Sequence, residues 1–286
     1  MRVLILGCGY VGLPLGQALV GQGHEVHAVR RRPDTLAELE AASLHPHAAD
    51  LTRRETLDTL PGSFDWIRHA ASSSRGDADV HRAVFVDGTE NLIDWLTITK
   101  AHSRLLFTSS TSVYPQTDGG WVDEECPDKP VAGTGKNLAL AEGMFLEWPA
   151  GATVLRVAGI YGPGRGYLYR QFLKDEAMLD GDGNRWLNMI HRDDVVGAIL
   201  CAMENEPGIY NVTDDEPVTQ HDFFAWLSEL LGKPMPTAGS RAPGKRARTH
   251  KRVANDRLKA LGWQLKYPNF REGYSALRAA ESANAK

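Results

Sequence analysis

Short apolar runs alternate with amphipathic stretches through roughly the first half of the chain. Runs of mainly aliphatic and β-branched residues occur at Val3–Leu6, Glu25–Arg30, Leu44–Ala48, Phe64–His69, Leu105–Thr108 and Thr153–Val157. Between them, apolar positions recur at helical spacing over Val11–Gly21, Thr35–Ala42, Arg53–Leu60, Asp79–Lys100 and Lys136–Trp148. Apolar strands each followed by a helix predict an α/β fold with a doubly wound parallel sheet, because crossover helices cover both faces of such a sheet. Within Asp79–Lys100, Val80, Val84, Leu92, Ile93 and Leu96 share one stripe and predict a single long helix. After residue 160 the rhythm changes at Gly162-Pro163-Gly164. A helix at Asp193–Glu204 and a strand at Gly208–Val212 are expected to return to the sheet, while Gln220–Leu231, Asp256–Leu261 and Arg271–Ala283 predict helices without strand alternation. The expected organisation is a sheet domain over 1–160, completed by 189–212, and a smaller lobe built from 161–188 and 213–286.

The first strand runs directly into Gly7-Cys8-Gly9-Tyr10-Val11-Gly12 and then into a helix with apolar residues at Val11, Leu15 and Leu19. Strand, glycine turn and helix in that order form the dinucleotide-binding arrangement of a Rossmann fold. Gly7 permits the turn, Gly9 admits the pyrophosphate to the backbone, and Gly12 allows the helix to lie close to the sheet. The helix N-terminus, with Tyr10 and Val11, offers amide donors and a positive dipole end to the anion. The second strand ends in Arg30-Arg31-Arg32 and has no carboxylate there to hold the adenosine ribose hydroxyls. Arg30 and Arg31 are therefore candidates for a 2′-phosphate, and NADP is expected as cofactor ahead of NAD. Asp50, after the third strand, suits either the adenine amino group or a helix N-cap.

Composition narrows the classes further. The chain has 286 residues, 42% of them hydrophobic, and a formal net charge of −4, enough to bury a large core and without the basic excess of a nucleic-acid binder. No apolar run is long enough for a membrane span and the first residues lead into a strand, so a cytoplasmic location with no membrane partner is expected. The 3 cysteines lack metal-binding or CxxC spacing, and no metal site is expected. Cys8 alone stands where a helix N-terminus would lower a thiol pKa. Pro234–Arg252 is rich in proline, glycine and basic residues, including Arg241, Lys245, Arg246 and Arg248, and suits a solvated loop or a flap over an anionic ligand.

Further motifs follow the glycine turn in order: His69-Ala70-Ala71, Gly88-Thr89 with Asn91-Leu92, Thr108-Ser109-Ser110-Thr111-Ser112-Val113-Tyr114, Leu155-Arg156 with Ile160-Tyr161-Gly162-Pro163-Gly164-Arg165, Ile190-His191-Arg192-Asp193-Asp194 and Tyr210-Asn211-Val212. In this series the chain resembles the short-chain dehydrogenase/reductase superfamily in its extended, NAD-dependent epimerase/dehydratase form. The resemblance implies Ala70 beside the cofactor, Ser110 as the catalytic hydroxyl, and Lys136 as the lysine that holds the nicotinamide ribose and lowers the pKa of a catalytic tyrosine. Four residues before Lys136, where the family has that tyrosine, stands Ala132. With Gly133-Thr134-Gly135-Lys136 in place of YxxxK, the chain is similar to an atypical, YeeZ-like branch of the superfamily. Thr111-Ser112 replace the Asp-Glu pair of the 4,6-dehydratases, which disfavours that elimination chemistry.

The displaced acid/base candidates are Tyr114, Tyr161 and His191, the last with Asp193 or Asp194 to orient it. Tyr161, His191 and Arg165 are candidates for the substrate, Arg165 for a phosphate or carboxylate on it, with Asn188, Lys251 and Arg252 as further groups for the same anion. Two functions remain open. One is an NADP(H)-dependent oxidoreductase or epimerase-like enzyme acting on a small polar or nucleotide-linked molecule. The other is a non-catalytic NADP(H)-binding sensor, to which the loss of the tyrosine points. A homodimer through the Asp79–Lys100 and Lys136–Trp148 helices is implied by the resemblance.

Overall fold

The computed structural model describes residues 1–72, 78–127, 130, 133–239 and 250–284. Its chain divides into two compact units, Met1–Val113 with Lys129–Arg156 and Ile199–Tyr210, and Tyr114–Asp128 with Val157–Ala198 and Asn211–Lys286.

Seven strands form the main sheet: β1 (Arg2–Leu6), β2 (Glu25–Arg30), β3 (His45–Ala48), β4 (Trp66–His69), β5 (Arg104–Ser110), β6 (Ala152–Val157) and β7 (Ile209–Val212). Their order is β7-β6-β5-β4-β1-β2-β3. The pairings of β1 with β2 and β4, of β2 with β3 and of β4 with β5 are parallel. The sheet and its flanking helices make the doubly wound Rossmann fold that the apolar pattern predicts. Val3, Leu4, Ile5 and Leu6 are all buried, the mark of a central strand covered on both faces. Because the chain leaves β1 for β2 and β3 and then returns to β4 on the other side, the order reverses between β1 and β4. Ligands of open α/β sheets bind at the carboxyl ends of the strands at such a reversal.

The principal helices are α1 (Gly12–Gly21), α2 (Ala37–Ala41), α3 (Gly88–Ile98), α4 (Gly133–Leu146), α5 (Arg192–Glu204), α6 (Gln220–Leu231) and α7 (Phe270–Asn284). Most helix ends differ from the expectation by one to three residues, and two departures stand out. Asp79–Lys100 is an α-helix over Ala78–Arg82, a π-helical turn over Ala83–Asp87, and then α3. Val84, Phe85 and Val86 are consecutive and all buried, which the wider turn accommodates, whereas Val80, assigned to the same stripe, is 43% exposed. Helix α4 begins at Gly133 rather than Lys136. Glycine propensity argues against those positions, and packing overrides it, as the site shows.

The second unit is held by an aromatic core that includes Tyr161, Tyr169, Phe172, Phe223, Phe224, Phe270 and Tyr274. Helix α6 starts with the Thr219 side chain accepting from the Asp222 amide at 3.0 Å and stops at Gly232 with φ 60°. A parallel pair, Gly159–Tyr161 with Met189–His191, carries two of the candidate residues.

Candidate functional site

In the first unit, the turn after β1 is shaped by what surrounds each glycine. Gly7 has φ +90°, and a Cβ there would lie 2.5 Å from the Ala71 backbone, so the turn presses directly against the segment leaving β4. Ala70 belongs to that segment and donates to the Leu6 carbonyl at 2.8 Å. At Gly12 a Cβ would meet the Gly7 oxygen at 3.1 Å and Ile5 at 3.2 Å, the close helix packing expected of the motif. Gly9 is different, because nothing lies within 4 Å of its missing Cβ. No neighbour among the described residues demands glycine there, and the open space above the turn is what a diphosphate needs to reach the backbone. Tyr10 and Val11 are half-buried and open the first turn of α1, where amides lack intrahelical acceptors. The residues present thus fit a dinucleotide.

Arg30 is built into this turn. Its Nε donates to the Cys8 carbonyl at 2.6 Å, and its Nη1 donates to the Thr35 carbonyl at 2.8 Å and to Glu38 Oε2 at 2.6 Å. Arg31 is exposed, and Arg32 lies 3.7 Å from Asp34 on the surface. The Cys8 thiol is buried, and burial pushes its pKa up to about 11 despite the nearby Arg30 and Arg68 charges. The lowered thiol expected from the helix terminus is therefore corrected: desolvation exceeds the dipole effect. Asp50 Oδ1 accepts from the Thr52 amide at 3.0 Å and hydroxyl at 2.9 Å, closing a turn. The helix after it, Arg54–Leu57, is capped at Arg53, so Asp50 is not its N-cap.

Ser110 ends β5 and is half-buried, with its hydroxyl accepting from the Ser112 amide at 3.2 Å. Lys136 is exposed in the first turn of α4. Gly135 explains why the helix starts early: a Cβ there would stand 2.6 Å from the Ser112 carbonyl oxygen, so the glycine lets α4 dock against the loop that follows Ser110. Ala132, the position of the family tyrosine, lies outside the described residues, as do Arg241, Lys245, Arg246 and Arg248. Deeper in the unit, Ser109 Oγ donates to Glu142 Oε1 at 2.5 Å and Arg156 Nη2 donates to Glu142 Oε2 at 2.6 Å, all three buried. This set joins β5, α4 and β6. Neither Glu142 as a brace nor Glu38 as the partner of Arg30 was evident in the sequence. A lone acid in an apolar helix face, with an arginine inside a strand, is the only signal for the former.

Arg68, on β4, is buried and donates Nη2 to Thr108 Oγ1 at 3.1 Å, while its Nε and Nη1 have no partner among the described residues. Burial pulls its pKa down to about 10.

In the second unit, Tyr114 is fully buried, its hydroxyl donating to Asn211 Oδ1 at 2.8 Å, and the buried Lys251 Nζ donates to the Tyr114 carbonyl at 2.9 Å. Burial lowers the Lys251 pKa to about 8. Asn188 bridges the Lys251 carbonyl at 3.0 Å and the Val253 amide at 2.8 Å, and Arg252 Nε donates to the Gly119 carbonyl at 3.0 Å. Arg165 is exposed on a tight turn closed by its own amide to the Gly162 carbonyl at 2.9 Å.

Tyr161 and His191 are both buried, with ring centroids 5.3 Å apart. The Tyr161 hydroxyl has no partner among the described residues, and burial with Asp214 nearby pushes its pKa far up. His191 Nδ1 accepts from the Asp193 amide at 3.2 Å, and burial lowers its pKa to about 4, so the ring is neutral at pH 7 with its proton on Nε2. Asp194 accepts from the amides of Lys266 and Tyr267, and burial raises its carboxyl to about 6. Among the described residues no group of three or more His, Cys, Asp or Glu is placed to hold a metal ion, and no helix is long and apolar enough to cross a membrane.

The model of the NAD dependent epimerase/dehydratase family matches residues 3–213. Protein YeeZ of Escherichia coli K12 is 29% identical over 281 residues, covering 94% of this chain and 97% of the relative. The 3-diazoavenalumate denitrifying reductase of a Streptomyces species is 28% identical over 316 residues, covering 96% of this chain and 99% of the enzyme. Among solved structures, MoeE5 in complex with UDP-glucose and NAD superposes with TM-score 0.81 over 100% of both chains at 23% identity, a likeness of fold.

Proposed function

Since the chain belongs to the NAD-dependent epimerase/dehydratase family, we propose that it is an NADP(H)-binding oxidoreductase or epimerase-like protein acting on a small polar or nucleotide-linked substrate. The observation that carries this reading is the open space over Gly9 beside the α1 terminus, together with a β2 end that presents Arg30, Arg31 and Arg32 and no carboxylate. Gly7, Gly9, Tyr10, Val11 and Gly12 would hold the diphosphate, Ala70 and Asp50 the adenosine side, and Arg30 and Arg31 the 2′-phosphate. When bound, a nicotinamide supplies or accepts a hydride.

Ser110 would polarise a substrate oxygen, and Lys136 would hold the nicotinamide ribose. Alanine transfers no proton, so at position 132 the chain has no acid/base. A proton would move through water or through a displaced group. Tyr114 is the weakest of these, since its hydroxyl already serves Asn211. Tyr161 and His191 are the other candidates, and Arg165 would meet an anionic group of the substrate. In support, the Streptomyces relative is a reductase and the fold neighbour is seen with NAD and a nucleotide sugar. Helices α3 and α4, the latter with Leu140 45% exposed, would pair two copies.

Ala132 favours a second reading, a cofactor sensor without turnover. Titration of NADPH and NADH by fluorescence, beside a carbonyl panel followed by absorbance loss, separates the possibilities. Tighter NADPH with turnover is expected. Equal affinities would refute the cofactor preference, and tight binding with no turnover of any carbonyl would favour the sensor.

A further inference from the structure

Three features of the Arg30 environment bear on which form of the cofactor this site accepts. The guanidinium is held on one edge by the Cys8 carbonyl through Nε, so it is fixed to the glycine turn itself. Its Nη1 is shared between the Thr35 carbonyl and Glu38, and its Nη2 has no partner among the described residues. The two members of the ion pair are unequal, with the Arg30 side chain 15% exposed and that of Glu38 61% exposed. The arginine is the fixed partner, and the glutamate, on the five-residue helix α2, is the one free to leave. Arg31 and Arg32 extend into solvent without comparable support.

We propose that Glu38 is a specificity-determining residue, which sets the preference between phosphorylated and unphosphorylated dinucleotide by competing with the 2′-phosphate for Arg30. The inference rests on the functional reading above, that a dinucleotide lies over the glycine turn. A 2′-phosphate reaching the Nη edge of Arg30 meets a carboxylate already bound there. It gains a charge-assisted contact, displaces Glu38, and then faces a like charge on a tethered side chain. An unphosphorylated ribose leaves the Arg30–Glu38 pair in place. Glu38 therefore weakens the phosphorylated form selectively, and the preference set by the three arginines is narrower than their number implies.

The probes are 2′,5′-ADP and 5′-ADP, measured by calorimetry on the intact chain, which needs neither nicotinamide nor a known substrate. Glu38→Gln keeps the size of the side chain and removes its charge. It is expected to tighten 2′,5′-ADP about two- to fivefold, the scale of one exposed charge pair, and to change 5′-ADP by less than that. Glu38→Lys should move 2′,5′-ADP further in the same direction. If both nucleotides bind the parent chain and Glu38→Gln leaves their ratio unmoved, or weakens 5′-ADP by removing a ribose acceptor, the inference is overturned. If neither nucleotide binds parent or variant, it is the cofactor reading beneath it that fails.

Discussion

In the first unit, Ser109, Glu142 and Arg156 are buried as a paired set in which both carboxylate oxygens of Glu142 are engaged. In the second, Tyr161, Asp194 and Asp214 are buried with no ion pair among the described residues. Asp214 Oδ2 and the Tyr161 hydroxyl have no partner among the described residues, and the Asp214 carboxyl is driven well above its ordinary range by burial and by its acidic neighbours Asp215, Glu216 and Asp194. The difference lies in what each cluster can do. A buried charge with a matched partner fixes geometry, here the register of α4, which carries Lys136, on β5, which carries Ser110. Buried acids without a cationic partner have raised pKa values instead, and their contribution to stability depends on pH.

Breaking the matched pair should have the largest effect. Glu142→Gln leaves Arg156 buried and uncompensated, and is expected to destabilise the fold by about 3–5 kcal/mol in denaturant unfolding. Replacing both residues by apolar ones of similar volume should recover much of that loss. A single variant within about 1 kcal/mol of the parent would show that the pair fixes nothing.

The next effect belongs to His191, against which Asp193, Arg192 and Lys266 also act. Its folded pKa of about 4 lies below the ordinary 6.5, so the unfolded chain binds the extra proton first. Its contribution to stability is complete above pH 6.5 and is lost as pH falls toward 4. Asp194, with a folded pKa of about 6 against 3.8, has the opposite sign and gains stability over nearly the same interval. His191→Asn should therefore gain on the parent as pH falls from 7 to 4, by on the order of 2–3 kcal/mol, read as a converging or crossing pair of melting curves. A constant offset across that range would contradict the buried neutral imidazole.

Smallest is Tyr161→Phe, which removes a hydroxyl that has no partner among the described residues. Stability should stay within about 1 kcal/mol of the parent or rise, since no hydrogen bond is lost and a buried polar atom is removed. A loss of turnover with stability unchanged would identify the hydroxyl as a group that touches substrate.

Much of the fold was legible in the chain because strand and helix periodicity are local. The six main-sheet strands before residue 160 and the glycine turn are found where the apolar runs place them, Glu25–Arg30 without change and the others within two residues at their ends. The break of the Asp79–Lys100 helix was not legible, because burying Val84, Phe85 and Val86 together is a demand of the surrounding packing. Nor was the early start of α4, which depends on a carbonyl 2.6 Å from a hydrogen of Gly135 replaced by carbon.

The sequence by itself determined the sheet, the dinucleotide turn, the basic end of β2 and the absence of an ionisable side chain at position 132, since each is a matter of residue type and short spacing. Only the tertiary structure decided which charges are spent on one another. Arg30 is tied to Cys8 and Glu38, Arg156 to Glu142, and Cys8 is desolvated rather than activated. These follow from burial and from contacts between residues far apart in sequence. Electrostatic strength is set by distance and solvent exposure, and neither is written in the order of the residues.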